Sequence, residues 1–339
     1  MKKFFIVFFV VAFAATSAYA LDFQTSGSYY ARGSWISNPD GLDTGNEGDP
    51  TIDYGFYDHE IDMTTRIIVD DNTHVRVRYE IQDSQWVNRG GTYGDLDDNI
   101  QFIRAWGGHT FTQTGTTLDL GLMTGGAWAY SFADTGTGTY RVKVTQATSF
   151  GPIIGILEKN EEVGQVEGID DAEKDDNDAY YLAGVFKAGP VNIKPLFGYL
   201  YNSAADKSQN TDGVQTFLFD LGIDGAYDGW GFEAEWQIRS ASVDQVLIDS
   251  GAYTDDFTLN GLYGKLWAQF GAANVYGIIA WGDDDEGNAF YMGDDFEPQL
   301  LFGNQFAFGP RADAVSGATY GVIGVDYAAT ERLSLGANV

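Results

Sequence analysis

The stretch that decides the fold is His74-Val75-Arg76-Val77-Arg78-Tyr79-Glu80-Ile81-Gln82, in which apolar and polar residues alternate. Successive side chains of a β-strand point to opposite faces, so the apolar residues share one face and the charged residues share the other. In a soluble sheet the apolar face packs on a core, whereas in a membrane barrel it contacts lipid and the polar face lines a wet interior. The N-terminus and the loop lengths decide between these two architectures.

The first twenty residues have the layout of a secretory signal. Basic Met1-Lys2-Lys3 precedes an uncharged apolar run over residues 4–15, and Ala18-Tyr19-Ala20 offers a small-residue cleavage site. We therefore predict a signal peptide over residues 1–20, cleaved near Ala20, with an N-terminal membrane anchor as the alternative. The mature chain is then expected outside the cytoplasm.

The composition narrows the class further. No other segment is an uninterrupted apolar run long enough for a transmembrane helix, which leaves the closed β-barrel as the membrane-spanning option. The chain has 43 Gly, 7 Pro and 15% aromatic residues, which suits strands, tight turns and interfacial aromatic girdles. It has no Cys, which excludes thiolate metal sites and attached c-type haem, and its net charge of −30 argues against nucleic-acid binding.

The connections between alternating segments divide into two classes. Fifteen such segments can be drawn between residue 23 and the C-terminus, and the links between them alternate strictly between long and short. A meander that threads up and down through a membrane has short turns on the periplasmic side and long loops outside. The sequence therefore predicts an all-β, transmembrane, antiparallel up-and-down barrel, and a soluble sandwich gives no reason for this segregation.

On these features the chain resembles bacterial outer-membrane porins of the general diffusion type, over about residues 21–339. The features are the signal peptide, the alternating strands, the loop rhythm and the Ala188-Gly189-Pro190 turn. The resemblance implies sixteen strands, or eighteen, in an assembly that is often trimeric. It also implies a third external loop folded into the lumen, which matches residues 125–139 and carries one carboxylate, Asp134, where many porins have several.

The C-terminus departs from the porin pattern. Porins usually end on a strand with a terminal aromatic residue, whereas this chain stops at Val339 within its fifteenth segment. We expect that a closing strand is missing from the sequence, and a different strand count is the competing explanation.

Strand parity predicts which side chains line the lumen. The basic set is expected to form one patch on adjacent strands, and acidic residues are expected on the same face and in the third loop. The predicted basic residues are Arg66, Arg76, Arg78, Arg104, Arg141 and Lys143, with weaker parity for Arg104. The predicted acidic residues are Glu60, Asp62, Glu80, Asp134, Glu233 and Glu235. Charged rings of this kind select among ions, although a lumen charge can also be only a wetted, paired side chain.

The predicted function is passive diffusion of ions and small hydrophilic solutes through a water-filled lumen, without a cofactor, a metal or an enzymatic activity. Partners are expected to be outer-membrane lipid and lipopolysaccharide, with Ca²⁺ or Mg²⁺ at the acidic external loops as a weaker hypothesis. The alternatives are a non-conducting scaffold or surface-binding barrel and an outer-membrane hydrolase. A hydrolase would need one of the histidines, His59, His74 or His109, beside a nucleophile.

Overall fold

A computed structural model describes most of the chain after the predicted signal peptide. The described residues are 21–36, 54–85, 100–133, 136, 138–161, 176–203, 213–251, 253–285, 288–290, 319–330 and 333–338. The predicted signal peptide, the cleavage site and most of the long links lie outside these residues. In the described ranges, no helix combines the length and the apolar character that a membrane crossing needs.

Strands dominate the described chain, and their bounds agree with the alternating segments of the sequence. The first nine strands are β1 (Asp22–Ile36), β2 (Tyr54–Ile68), β3 (Thr73–Gln85), β4 (Ile100–Phe111), β5 (Thr116–Thr124), β6 (Gly138–Gln146), β7 (Ile153–Glu161), β8 (Asn177–Gly184) and β9 (Phe186–Ala188). The others are β10 (Val191–Asn202), β11 (Val214–Tyr227), β12 (Trp230–Val243), β13 (Phe257–Phe270), β14 (Ala273–Gly282), β15 (Asp284–Asp285), β16 (Asn288–Ala289), β17 (Thr319–Thr330) and β18 (Leu333–Asn338). One helical turn, α1 (Gln245–Asp249), follows β12 and begins at Asp244, whose side chain accepts a hydrogen bond from the Val246 N–H.

Sixteen of these strands take part in an antiparallel sheet whose order follows the chain. This confirms the predicted all-β, up-and-down class; with β8 and β9 counted as one, the described sheet has fifteen strand positions, as many as the alternating segments of the sequence. β9 continues β8 after a break at Val185 and pairs with the start of β10, so the two pieces correspond to one predicted segment. The sixth and seventh segments, which look short in the sequence, form strands of nine residues each.

The chain divides into two compact units, and each is described by itself. The first consists of residues 1–38 and 48–123 and contains β1 to β5, each paired with the next. The second consists of residues 39–47 and 124–339 and contains the ladder from β6 to β18, with the small β15–β16 hairpin beside it. Some paired strands are joined by a short turn. In the turn between β2 and β3, the Asn72 N–H donates to Asp70 Oδ1 over 2.8 Å.

Each ladder has one apolar and one polar face. Large apolar side chains are exposed at every second position, for example Leu262 and Leu266 on β13, which are 49% and 58% exposed. On inner strands the charged side chains of the other face are buried, for example Asp119 on β5, Glu158 on β7 and Glu235 on β12. In water such a surface is unfavourable, but it is what lipid contact requires of a barrel strand. The alternation predicted for β3 is therefore present in both units.

Candidate functional site

In the first unit, the predicted basic and acidic residues form rows across the polar face of β2, β3 and β4. The register places Arg66 opposite Arg76, and Arg78 opposite both Thr64 and Arg104. Asp62 pairs with Glu80 in the same ladder. The register therefore places these four arginines, Asp62 and Glu80 on one face of the ladder.

Carboxylates neutralise only some of the arginines on the polar face of β2, β3 and β4. Arg78 donates a hydrogen bond from Nε to Asp62 Oδ1 over 3.1 Å and a second from Nη2 to the other carboxylate oxygen. Three carboxylates lie close together at this point, with one oxygen each of Glu60, Asp62 and Glu80 within 4.8 Å of the other two. Because Arg78 is bonded to Asp62, its guanidinium is the counter-charge of this acidic group. The Arg76 guanidinium lies 5.8 Å from the Trp106 ring centroid, a cation–π contact.

The weaker parity of Arg104 has a structural cause. β3 and β4 change register between Arg78 and Tyr79: Arg78 pairs with Arg104, but Tyr79 pairs with Phe102. Ile103 is therefore the extra residue of a β-bulge, and the alternation of β4 shifts by one position there. Arg104 stays on the polar face and is only 8% exposed, while Phe102 on the apolar face is 63% exposed.

Arg141 and Lys143 belong to the second unit, on the polar face of β6. Val142 and Val144, between and beyond them, are 38% and 40% exposed on the apolar face. Arg141 forms an ion pair with Glu158 on β7 and also donates to the Thr124 carbonyl oxygen. Both charged side chains of this pair are almost fully buried, which makes the pair a fixed element of the wall. A single patch that joins all six basic residues stays a prediction.

The segment 125–133, here called the inner segment, lies against the polar face of the second unit. Tyr130 is its hydrogen-bonding anchor: its N–H donates to Glu235 Oε2 over 3.1 Å, and its hydroxyl donates to Asp224 Oδ1 over 2.9 Å. Burial, followed by the hydrogen bond to Asp224, raises the pKa of Tyr130 far above its ordinary value, so the hydroxyl remains a donor. Lys194 completes the anchor, with Nζ 2.7 Å from Asp224 and 4.4 Å from the Tyr130 ring centroid.

The residues around Tyr130 fix the path of the inner segment. Trp128 Nε1 donates to the Lys194 carbonyl oxygen over 3.0 Å. Ala129 has a φ of 47°, a left-handed conformation that L-residues with a Cβ rarely adopt. A Cβ on Gly222 would lie 2.4 Å from the Ala129 Cβ, so the segment approaches β11 as closely as glycine permits.

An aromatic column holds the end of the inner segment. Phe132 is fully buried and stacks on Tyr263 at 5.7 Å and on Phe290 at 5.4 Å between ring centroids. Tyr263 in turn donates a hydrogen bond to Glu233, which lies on the polar face as predicted. The predicted carboxylates Glu233 and Glu235 therefore hold the inner segment, one through Tyr263 and the other directly. Asp134 lies outside the described residues.

Between the inner segment and the strands lies a cavity of about 450 Å³. Its polar residues include the Arg141–Glu158 pair and a chain of hydrogen bonds from Arg239 Nε to Gln237 Oε1 (2.6 Å) and from Gln237 Nε2 to Asp220 Oδ2 (2.9 Å). Asp220 is 1% exposed.

Sequence reasoning missed Lys194, Asp220 and Asp224, and only the two aspartates have a parity that could be read from the sequence. Lys194 lies between apolar Ile193 and Pro195, but β10 has apolar residues on both faces, which hides the alternation. Asp220 and Asp224 are the carboxylates of β11 and occupy positions four apart, as polar-face residues of a strand do.

No protein-family model matches the sequence, and no curated protein sequence matches it. The fold does match solved structures. It is similar to a BenF-like porin from Pseudomonas fluorescens Pf-5, with a TM-score of 0.55 and 11% identity over 94% of this chain and 82% of that one. It is also similar to the outer membrane channel DcaP of Acinetobacter baumannii (TM-score 0.52, 11% identity, 95% of this chain and 91% of that one). A third similar structure is Pseudomonas aeruginosa OccK8 (OprE), with a TM-score of 0.51 and 10% identity over 94% and 82% of the two chains.

The fold is therefore that of the bacterial outer-membrane porins, as the sequence resemblance implies. At this level of identity the likeness describes the fold, and the chemistry of the channel has to be argued from the residues of this chain.

Proposed function

We propose that the protein is an outer-membrane channel through which ions and small hydrophilic solutes diffuse passively. The observation that carries the proposal is the inner segment, which Tyr130 and Phe132 fasten to the polar face of the second unit. A segment held on the polar face narrows a water-filled path without filling it, and a cavity remains beside it. The porin fold supports the same reading.

In our proposal, charges on the polar face of the first unit act as a filter for ions. Arg66 and Arg76 face each other, and none of the described carboxylates forms an ion pair with either. Like charges placed opposite each other destabilise a ladder. The presence of these two arginines therefore favours a functional role, in which they attract permeating anions. Arg78 and Arg141 are held by carboxylates and serve mainly as structural parts of the wall.

A hydrolytic function is the alternative with a specific observation behind it. Thr73 Oγ1 lies 2.8 Å from His109 Nδ1, a hydroxyl beside a general base. The nearby carboxylate of Asp70 accepts a hydrogen bond from the Thr73 hydroxyl, however, and not from the imidazole. A triad needs the acid to orient the base, so we propose that this cluster stabilises the β2–β3 turn and that the protein is not an enzyme.

The outer-membrane location, contact with lipopolysaccharide, a homotrimer and cation binding at the external loops complete the proposal. They rest on the resemblance and on the acidic composition of the loops.

The test is single-channel conductance of the purified full-length protein in a planar bilayer, with the reversal potential measured under a salt gradient. We expect stable current steps, and substitution of Arg76 by Gln should shift the reversal potential toward cation selectivity. The double variant Arg141→Gln/Glu158→Gln is the matched control, because it removes a mutually neutralised pair without changing the net charge. Folded protein without current would refute the channel and favour a scaffold.

A further inference from the structure

Part of the polar face of the second unit is apolar. Ile156 on β7, Leu196 and Leu200 on β10, Leu218 on β11 and Leu259 on β13 all line the cavity beside the inner segment. Their neighbours on the opposite face are apolar as well: Leu157 is 52% exposed, Phe197 55% and Phe217 62%. The lumen side of a porin strand is ordinarily polar, so this wall departs from what free diffusion of hydrophilic solutes requires.

Aromatic rings border the same wall. Trp128 of the inner segment and Tyr181 of β8 pack against the cluster formed by Ile154, Ile156, Ala183 and Leu196. The hydrogen bond from Trp128 Nε1 to the Lys194 carbonyl oxygen fixes the indole in place. Offset or edge-to-face contact with such rings favours a flat aromatic partner over an aliphatic one.

The charges of the cavity are balanced. Arg141 is matched by Glu158, and Arg239 by Asp220 through Gln237. A lining with two guanidinium groups and two carboxylates gives no net attraction to a solute of one sign. It favours a solute without net charge, such as one that carries both an ammonium and a carboxylate, over an ion of either sign.

From these three observations we propose that the cavity is a binding site for zwitterionic solutes with a single aromatic ring, such as an aromatic amino acid. The inference rests on the proposed channel function and names the solute class of that channel. A cavity of about 450 Å³ has the size for one such molecule. Its ring lies on the apolar wall next to Trp128, and its ammonium and carboxylate together carry no net charge, which suits a lining whose own charges are matched.

The experiment compares L-phenylalanine with L-serine as blockers of the single-channel current of the full-length protein. Both carry the same charges, and only phenylalanine has a ring. We expect phenylalanine to interrupt the current at concentrations at least about tenfold lower than serine, because the ring removes apolar surface from water. Phenylacetate, which has the ring and a net negative charge, should block more weakly than phenylalanine.

Two variants locate the site. Leu218→Asn keeps the branched shape of the side chain but makes the wall polar, and Trp128→Ala removes the indole. Both should remove the preference for phenylalanine, while Trp128→Phe, the matched control, retains an aromatic ring and should keep most of it. If Leu218→Asn fails to fold, the comparison of Trp128→Ala with Trp128→Phe is sufficient for the test.

Three results overturn the inference: equal blockade by phenylalanine and serine in an open wild-type channel, stronger blockade by phenylacetate, or equal behaviour of the two Trp128 variants. A folded protein that carries no current refutes the channel itself, which is a separate failure.

Discussion

Val77→Arg tests the assignment of faces on which the channel proposal depends. Val77 lies four residues after the start of β3 at Thr73, between Thr65 of β2 and Ala105 of β4. Four residues span about 13 Å along a strand, and at a tilt of about 40° they rise about 10 Å. With Thr73 at the edge of an apolar band about 25 Å tall, Val77 lies near its middle.

At that depth an arginine on the lipid face costs about 2–4 kcal/mol. Val75→Arg, two residues closer to the edge, should cost about half as much, because the penalty falls toward the interface. Arg78→Ala, on the polar face, breaks a half-exposed ion pair and should cost about 1 kcal/mol or less while it changes the conductance.

The assay is the free energy of unfolding from urea titration in phospholipid vesicles, with all three variants in the same lipid. The expected order of destabilisation is Val77→Arg, then Val75→Arg, then Arg78→Ala. If Val77→Arg and Arg78→Ala cost the same, or if Val75→Arg costs more than Val77→Arg, the assignment of faces and depth is refuted.

Three further predictions concern the inner segment and a turn. Phe132→Ala removes a fully buried ring, so it should cost about 3–5 kcal/mol in urea titration and raise the single-channel conductance, whereas Phe270→Ala, at a 67% exposed ring, should leave the conductance unchanged. Gly222→Val should displace the inner segment at Ala129 and also raise the conductance; Gly264→Ala, whose Cβ meets nothing closer than 3.7 Å, is the control, and equal conductances would contradict the contact. The hydrogen bond from the Asn72 N–H lowers the pKa of Asp70, so its stabilisation is present above the ordinary carboxyl pKa of about 3.9 and lost as the pH falls through the lowered value. Asp70→Asn should therefore weaken the loss of stability at acid pH, measured as the free energy of unfolding against pH. Asp71→Asn is the control, and identical pH profiles of the two variants would count against this role of Asp70.

Local pattern was sufficient to predict the strands. The alternation in β3 and the short turn at Asp70 are properties of neighbouring residues, and both the strand and the turn occur where they were expected. The bulge at Ile103 is partly visible too, as an interruption of parity in β4.

The arrangement of the site could be predicted less completely. Parity placed Glu233 and Glu235 on the polar face, but it could not place Glu235 beside Tyr130, because this contact joins residues 105 positions apart and depends on where the inner segment docks. The apolar wall escaped prediction for another reason. Leu196 and Phe197 are both apolar, so β10 shows no alternation from which a lumen side could be chosen.

The anchors of the inner segment also set an order of assembly. Lys194, Asp224, Glu235, Tyr263 and Phe290 all follow the segment in the chain, and the most distant, Phe290, comes directly after β16. The segment has no binding surface until those strands have paired, so its docking is a late step of folding. If the protein conducts as proposed, we expect an intermediate with paired strands and an undocked segment to conduct more than the folded protein, and the current through a newly inserted molecule should decrease as folding ends.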